Sequence, residues 1–226
     1  MVSVQFLRHS SFQVSFGKTN VLIDPFINNA PHHNGKSIRS PVKESDLKNI
    51  SLILLTHEHL GHFDKKAVET IAKRDNALVV GHESTLRQLA LPRGLMREVK
   101  IGEKLNARGI GLEVMIAHHP HAFYPVGYLL NSGKESVFHT GDTDLLDSFS
   151  EVDANILMIP IGGQRVMDLS DAVKATKMIK PKYVIPMHYN TFENIKADAN
   201  EFKHKIDKSV LEAETLIMKP GQKIKI

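Results

Sequence analysis

The sequence predicts an α+β fold: two β-sheets face to face with helices on the outside, against one open parallel sheet as the main rival. Strand-length apolar runs recur throughout the chain and call for burial on both faces, which a sheet pair covered by helices supplies. Their order is a run of strands, then strands alternating with helices, roughly repeated in the second half without an exact internal repeat. At 226 residues, 42% apolar and 24% charged, the chain can bury a sizeable core, and one domain over residues 1–226 is the default.

Val2–Phe6 and Phe12–Phe16 read as the first two strands, turning through Arg8-His9-Ser10-Ser11. Asn20–Asp24 is a third, stopped at Asp24-Pro25 because proline cannot extend a ladder. Residues 27–45 form a polar loop of the length used for binding loops, and Ser45 or Asp46 opens a helical turn. After the apolar strand Ser51–Leu55, Asp64–Arg74 has helical spacing with Ala67, Val68, Ile71 and Ala72 on one face. Ala77–Val80 is a strand, and His82–Leu91 a helix stopped by Pro92. Glu98–Ile101 and Ile110–Ala117 are strands, and Gly127–Leu130 pairs with Ser136–Thr140 around Asn131-Ser132-Gly133. Ala154–Ile161 is a strand ending in Gly162-Gly163, and Asp168–Lys180 a helix with Ser170 or Asp171 near its cap. Strand Tyr183–Met187, helix Glu193–Lys208 and strands Thr215–Met218 and Lys223–Ile226 close the chain.

Composition narrows the chemistry. With no cysteine, disulfides and thiolate ligands are excluded; a metal must be held by His and carboxylate, and a cytoplasmic protein is the simplest fit. No apolar stretch approaches the ~20 residues that span a bilayer. The N-terminus alternates like a strand and lacks the charged start and apolar centre of a signal peptide. The net charge is +4 with scattered lysines, so neither a membrane nor nucleic acid is expected as partner. A small-molecule substrate is expected, and a homo-oligomer is left open.

The thirteen histidines are more informative, because eight of them (57, 59, 62, 118, 119, 121, 139 and 188) lie beside apparent strands. Thr56-His57-Glu58-His59-Leu60-Gly61-His62-Phe63-Asp64 places three histidines where a buried strand must turn. Imidazole is the commonest neutral metal ligand, and packing alone gives no reason for such a cluster. A helical HExxH site would need His at position 61, where this chain has Gly. Residues two apart lie on different faces of a helix, so His57 and His59 converge more readily from a loop.

Thr56-His57-x-His59-x-Gly61-His62, then Phe138-His139-Thr140-Gly141-Asp142-Thr143 and Pro186-Met187-His188-Tyr189-Asn190, resembles the metallo-β-lactamase superfamily, and within it the UlaG-like branch of metal-dependent hydrolases. Phe6-Leu7-Arg8-His9-Ser10-Ser11-Phe12, Leu22-Ile23-Asp24-Pro25-Phe26 and Ile159-Pro160-Ile161-Gly162-Gly163 extend the likeness along nearly the whole chain. The resemblance implies an αββα sandwich with a metal site at one rim between the sheets. By resemblance His57 and His59 bind a first metal. A third ligand comes from Ala117-His118-His119-Pro120-His121, where the branch's order of small residue, variable residue, ligand selects His119, with His118 as the fallback. His62 and His188 match a second metal, and Asp142 the bridging carboxylate. His9, Asp24 and His139 are read as supporting residues around the ligands, Asp24 accepting the far N–H of a ligand histidine.

The family motif carries Asp where this chain has Gly61, so the resemblance implies a weakened second site. General-base work of that Asp must then pass to another group or be lost, with Asp142 and His188 the nearest candidates if the second metal is absent. The cofactor expected is Zn or Mn, one or two ions, although such a donor set also suits Fe or Ni. The activity implied is hydrolysis of a lactone, another ester or a phosphoester by metal-bound hydroxide, the metal lowering the pKa of water from 15.7 to about 7. The alternatives are a catalytically impaired metal- or ligand-binding homologue, motivated by Gly61, and a nuclease, disfavoured because no large extra domain or basic surface is present. Residues 27–45 and Phe123-Tyr124-Pro125 are the expected pocket wall.

Overall fold

Alternation along the strands sorts apolar side chains onto the two faces of two sheets. In β4 (Ile50–Leu54), Leu52 and Leu54 enter the core between the sheets and Ile53 faces outward with Ala67, Val68 and Ile71 of α1 (Lys65–Asp75), joined by Ile50 because the pairing with the neighbouring strand shifts register between Asn20 and Val21. The structure is a computed structural model that describes residues 1–28, 40–209 and 211–226. The first sheet runs, in spatial order, β14 (Lys223–Lys225), β1 (Val2–Arg8), β2 (Ser11–Phe16), β3 (Thr19–Ile23), β4, β5 (Leu78–Gly81) and β6 (Met96–Glu98). The second runs β13 (Glu214–Thr215), β12 (Tyr183–Met187), β11 (Ile156–Pro160), β10 (Ser136–His139), β9 (Val126–Asn131), β8 (Ile110–Ile116) and β7 (Lys104–Ala107). Both are mixed, and their inner faces share one core in which Phe6, Phe12 and Val14 meet Val114, Tyr128 and Ile185. α1 and α2 (Glu83–Leu86) cover the first sheet; α3 (Leu169–Ile179) and α4 (Ala199–Asp207) cover the second. The fold is therefore the expected αββα sandwich and not a single open sheet.

Two helices are shorter than their spacing predicts, and tertiary bonds explain both. α2 stops at Leu86 instead of Leu91 because the next turns tighten to i→i+3 bonds and Ala90 donates its N–H to the Glu69 carboxylate of α1 at 2.7 Å. α4 begins at Ala199, not Glu193, because the Asn190 side chain bonds both the N–H and the carbonyl of Ala197 and pins 190–197 as a loop. Asp168 caps α3 by accepting the Asp171 N–H, where Ser170 or Asp171 was expected. β7 is an edge strand without a strong apolar pattern, and no strand was expected there.

The pairings fix where the loops go. β1, β3 and β4 run in one direction, as do β8, β10, β11 and β12. His9, Asp24 and His57 follow the carboxyl ends of the first set; His119, Asp142 and His188 follow ends of the second. Cross-sheet bonds from Val126 N–H to the Thr56 carbonyl (3.1 Å) and from His188 N–H to the His9 carbonyl (2.9 Å) bring both sets to one rim.

Candidate metal centre

His9, Asp24 and His188 all have positive φ, at 56°, 44° and 55°. Left-handed backbone is uncommon for residues other than Gly, and such strain collects at functional sites. Each residue turns its strand end sharply into the rim. The loop after β4 winds once, with the N–H groups of His62 and Phe63 both bonded to the His59 carbonyl at 2.9 Å. The two nearby acids are engaged elsewhere. Asp64 caps α1 through Ala67 N–H and accepts Asn28 N–H, while Glu58 accepts Phe123 N–H.

Tautomers decide what this arrangement can hold. Thr56 Oγ1 donates to Asp24 Oδ2 at 2.6 Å, so it accepts from His57 Nδ1–H and leaves His57 Nε2 with a bare lone pair. The Arg165 carbonyl accepts His119 Nδ1–H (2.9 Å), and the His121 carbonyl accepts His59 Nε2–H (3.0 Å). His119 Nε2 and His59 Nδ1 are thereby bare as well. These three nitrogens face one another, His59 Nδ1 lying 3.1 Å from His57 Nε2 and 3.2 Å from His119 Nε2. Three lone pairs without a proton between them fit a cation. Burial pushes His57 and His119 below the ordinary histidine value, which keeps them in the neutral, ligating form.

A second group lies alongside. His62 donates Nδ1–H to Asp24 Oδ2 (2.7 Å) and turns Nε2 toward Asp142 Oδ1 (3.2 Å). Asp142 Oδ2 is 3.0 Å from His188 Nε2, 3.8 Å from His57 Nε2 and 4.0 Å from His119 Nε2, so this carboxylate stands between both groups. Burial opposes its ionisation, yet His188 and His62 hold it well below the ordinary carboxylate value. Burial also opposes a charge on His62, but Asp142 and Asp24 on either side push it up to about 10. His62 Nε2 and Asp142 Oδ1 have each other at 3.2 Å, and among the described residues His9 Nδ1 and His188 Nδ1 are buried beside them with no hydrogen-bond partner. Buried polar groups are rarely left unpaired, and two orphaned ring nitrogens beside an ionised carboxylate again fit a cation. Asp24 also lies close to His57 and His62, but its oxygens are taken by Thr56 N–H, Thr56 Oγ1–H and His62 Nδ1–H.

The expected ligands His57, His59, His62, His119, Asp142 and His188 are thus brought together at the rim. His118, the fallback, points away, half-exposed and paired with Asp144 at 2.8 Å. Asp24 supports His62, as expected. His139 is fully buried, donating Nε2–H to the Ser10 carbonyl (2.9 Å) and accepting Gly141 N–H at Nδ1 (3.1 Å). It ties the turn of His9 to the turn of Asp142. His9 lies nearer the centre than a supporting role predicts. Its ring is 4.1 Å from that of His188 and 5.2 Å from that of His62, centroid to centroid.

A cleft of about 330 Å³ opens onto these groups, walled by Gln164, Arg165, Phe192, Asn194 and Ile195. The 123–125 segment does not line it: Phe123 is 86% exposed and Tyr124 stacks flat on His82 at 3.8 Å. Of the 27–45 loop, residues 29–39 lie outside the described residues. The wall residues are hidden in the sequence because 193–197 has helical composition, although Gly162-Gly163 marks the strand end from which the facing segment departs.

Similarity to known proteins identifies the superfamily. The curated UPF0173 metal-dependent hydrolase of Staphylothermus marinus is 36% identical over 98% of either chain. That of Methanopyrus kandleri is 32% identical over 97% of each. Among solved structures, Igni18, described as a novel metallo hydrolase from Ignicoccus hospitalis, is similar with a TM-score of 0.84 at 28% identity, covering 99% of this chain and 97% of that one. Residues 3–188, which run from the first strand through the last of the gathered histidines, match the beta-lactamase superfamily domain, and the chain belongs to that superfamily.

Proposed function

We propose that the protein is a metal-dependent hydrolase acting on a small lactone, another ester or a phosphoester. The observation that carries this reading is the convergence of three proton-free ring nitrogens, His57 Nε2, His59 Nδ1 and His119 Nε2, on one point beside the cleft that His59 and His119 line. These residues would hold a divalent ion, Zn or Mn, whose chemistry there would be to acidify a bound water and polarise the oxygen under attack. Asp24 and the carbonyls of Arg165 and His121 keep the imidazoles oriented, and Asp142 stays ionised between the two groups. Without a second ion, Asp142 and His188, 3.0 Å apart, would be placed to take a proton from the attacking water and return it to the leaving group. The exposed Arg165 on the wall suits an anionic substituent of the substrate. The names of the relatives support hydrolysis, and the absence of cysteine suits the cytoplasm.

The test is a panel of lactones, carboxylic esters and phosphodiesters offered to the metal-supplemented protein. Turnover that vanishes on chelation and in His57→Ala supports the proposal. Metal uptake with no turnover of any member would favour the non-catalytic binding reading that Gly61 motivates.

A further inference from the structure

We infer that His9 is a metal ligand which, with His62, His188 and Asp142, completes a second site for a divalent transition-metal ion. The inference rests on reading the His57–His59–His119 cluster as a metal site, because the two groups share Asp142. His9, His62 and His188 each offer a ring nitrogen within 4.8 Å of the others. His9 is 3% exposed, and its Nδ1 has no hydrogen-bond partner. A histidine that merely orients a ligand bonds to it, as Asp24 bonds to His62; His9 Nδ1 bonds to nothing.

Two further features hold the ring in place. The His9 carbonyl accepts the His188 N–H at 2.9 Å, which fixes the two ligand backbones to each other. Phe192 and Phe26 flank the ring at 5.4 and 5.9 Å. Gly61 is what lets the ring reach this position, since a Cβ there would lie 2.8 Å from both Cδ2 and Nε2 of His9. The side chain missing at 61 and the imidazole of His9 therefore occupy one space. The loss at position 61 is an exchange of ligands and not a bare deficit. Three imidazoles and one carboxylate make a donor set suited to Zn, Co, Ni or Fe more than to Mg or Ca.

The full chain, stripped with chelator and reconstituted with Zn(II), is to be titrated by competition and its metal content measured per chain. Wild type is expected to hold two ions. His9→Asn keeps a residue tolerant of positive φ and should weaken the second ion more than 100-fold, beyond the roughly 10–100-fold cost of losing a supporting partner, with the first ion unchanged. Gly61→Ala, whose Cβ displaces the His9 ring, should do the same and serves if His9→Asn fails to fold. With Co(II), only the absorption bands of the second equivalent should change in either variant. A second-ion affinity that is unchanged, or lowered only within the supporting range, overturns the assignment. So does a wild type holding one ion indifferent to His9, while leaving the first site intact. A wild type that holds no ion overturns the first-site reading as well.

Discussion

His188 donates its backbone N–H to the carbonyl of His9 at 2.9 Å, joining two left-handed residues that end strands in different sheets. That contact closes the rim, and it depends on Gly162, where a Cβ would lie only 2.1 Å from the His188 carbonyl oxygen. Gly162→Ala must therefore push the His188 turn outward. The expected cost is about 1–3 kcal/mol of stability in urea unfolding, with metal affinity lost at His62 and His188 and retained at His57, His59 and His119. Unchanged stability and metal content would show that the turn can shift freely.

Restoring an acid at position 61 would be the simple repair if only an acid were missing. The ring of His9 makes it a steric exchange instead. Gly61→Asp alone should destabilise the protein, and Gly61→Asp combined with His9→Gly should recover part of that loss. A double-mutant cycle with a coupling energy above about 0.5 kcal/mol is the expected result, whereas additivity within error would separate the two positions.

His118 and His119 are neighbours in sequence with opposite surroundings. The His118–Asp144 pair is exposed and worth at most about 1 kcal/mol, so His118→Ala should leave metal content and turnover unchanged. His119→Ala removes one of three converging nitrogens and should release the ion of the first site, read as metal per chain after gel filtration.

The contrast between those neighbours shows what one-dimensional reading can and cannot reach. Strands such as Tyr183–Met187, with a continuous apolar run, and α1, with its buried stripe Ala67, Val68, Ile71 and Ala72, are visible because local pattern and burial coincide. The ends of α2 and α4 are set by Glu69 and Asn190, side chains of other segments, and no local pattern announces them. Gly61 likewise reads as an absence until the His9 turn, delivered from the β1–β2 connection, is found packed against it. The wall at Gln164, Arg165, Phe192 and Asn194 has no periodicity because loops facing a cleft are selected for chemistry.

Asp24 accepts from Thr56 N–H, Thr56 Oγ1–H and His62 Nδ1–H while fully buried, so its charge orients ligands on both sides of the centre. Asp24→Asn keeps the size but brings an NH2 group against one of these donors. Metal affinity should fall roughly 10–100-fold, with a stability loss of about 1–3 kcal/mol in the chelated protein. Wild-type affinity in this variant would remove Asp24 from the support of the centre.

The chelated protein should also lose stability as pH falls from 6.5 to 5.5. His9, His57, His119 and His139 are all pushed below the ordinary 6.5 by burial in the folded chain, so the unfolded chain binds protons first as pH drops through 6.5. Their contribution is complete above 6.5 and declines toward each folded value. His62 has the opposite sign: its contribution grows as pH falls from about 10 to 6.5 and is full below 6.5, so it opposes the decline above 6.5 and leaves it unopposed below. Each proton contributes at most about 1.4 kcal/mol per pH unit. His139 is separable from the rest because both its nitrogens are bonded, Nε2–H to the Ser10 carbonyl and Nδ1 from Gly141 N–H, and protonation must break the second bond. His139→Gln should therefore lower stability at pH 7.5 and flatten the slope below 6.5, measured by urea unfolding at each pH. An unaltered slope would mean that His139 stays neutral throughout that range and that the decline comes from the other three.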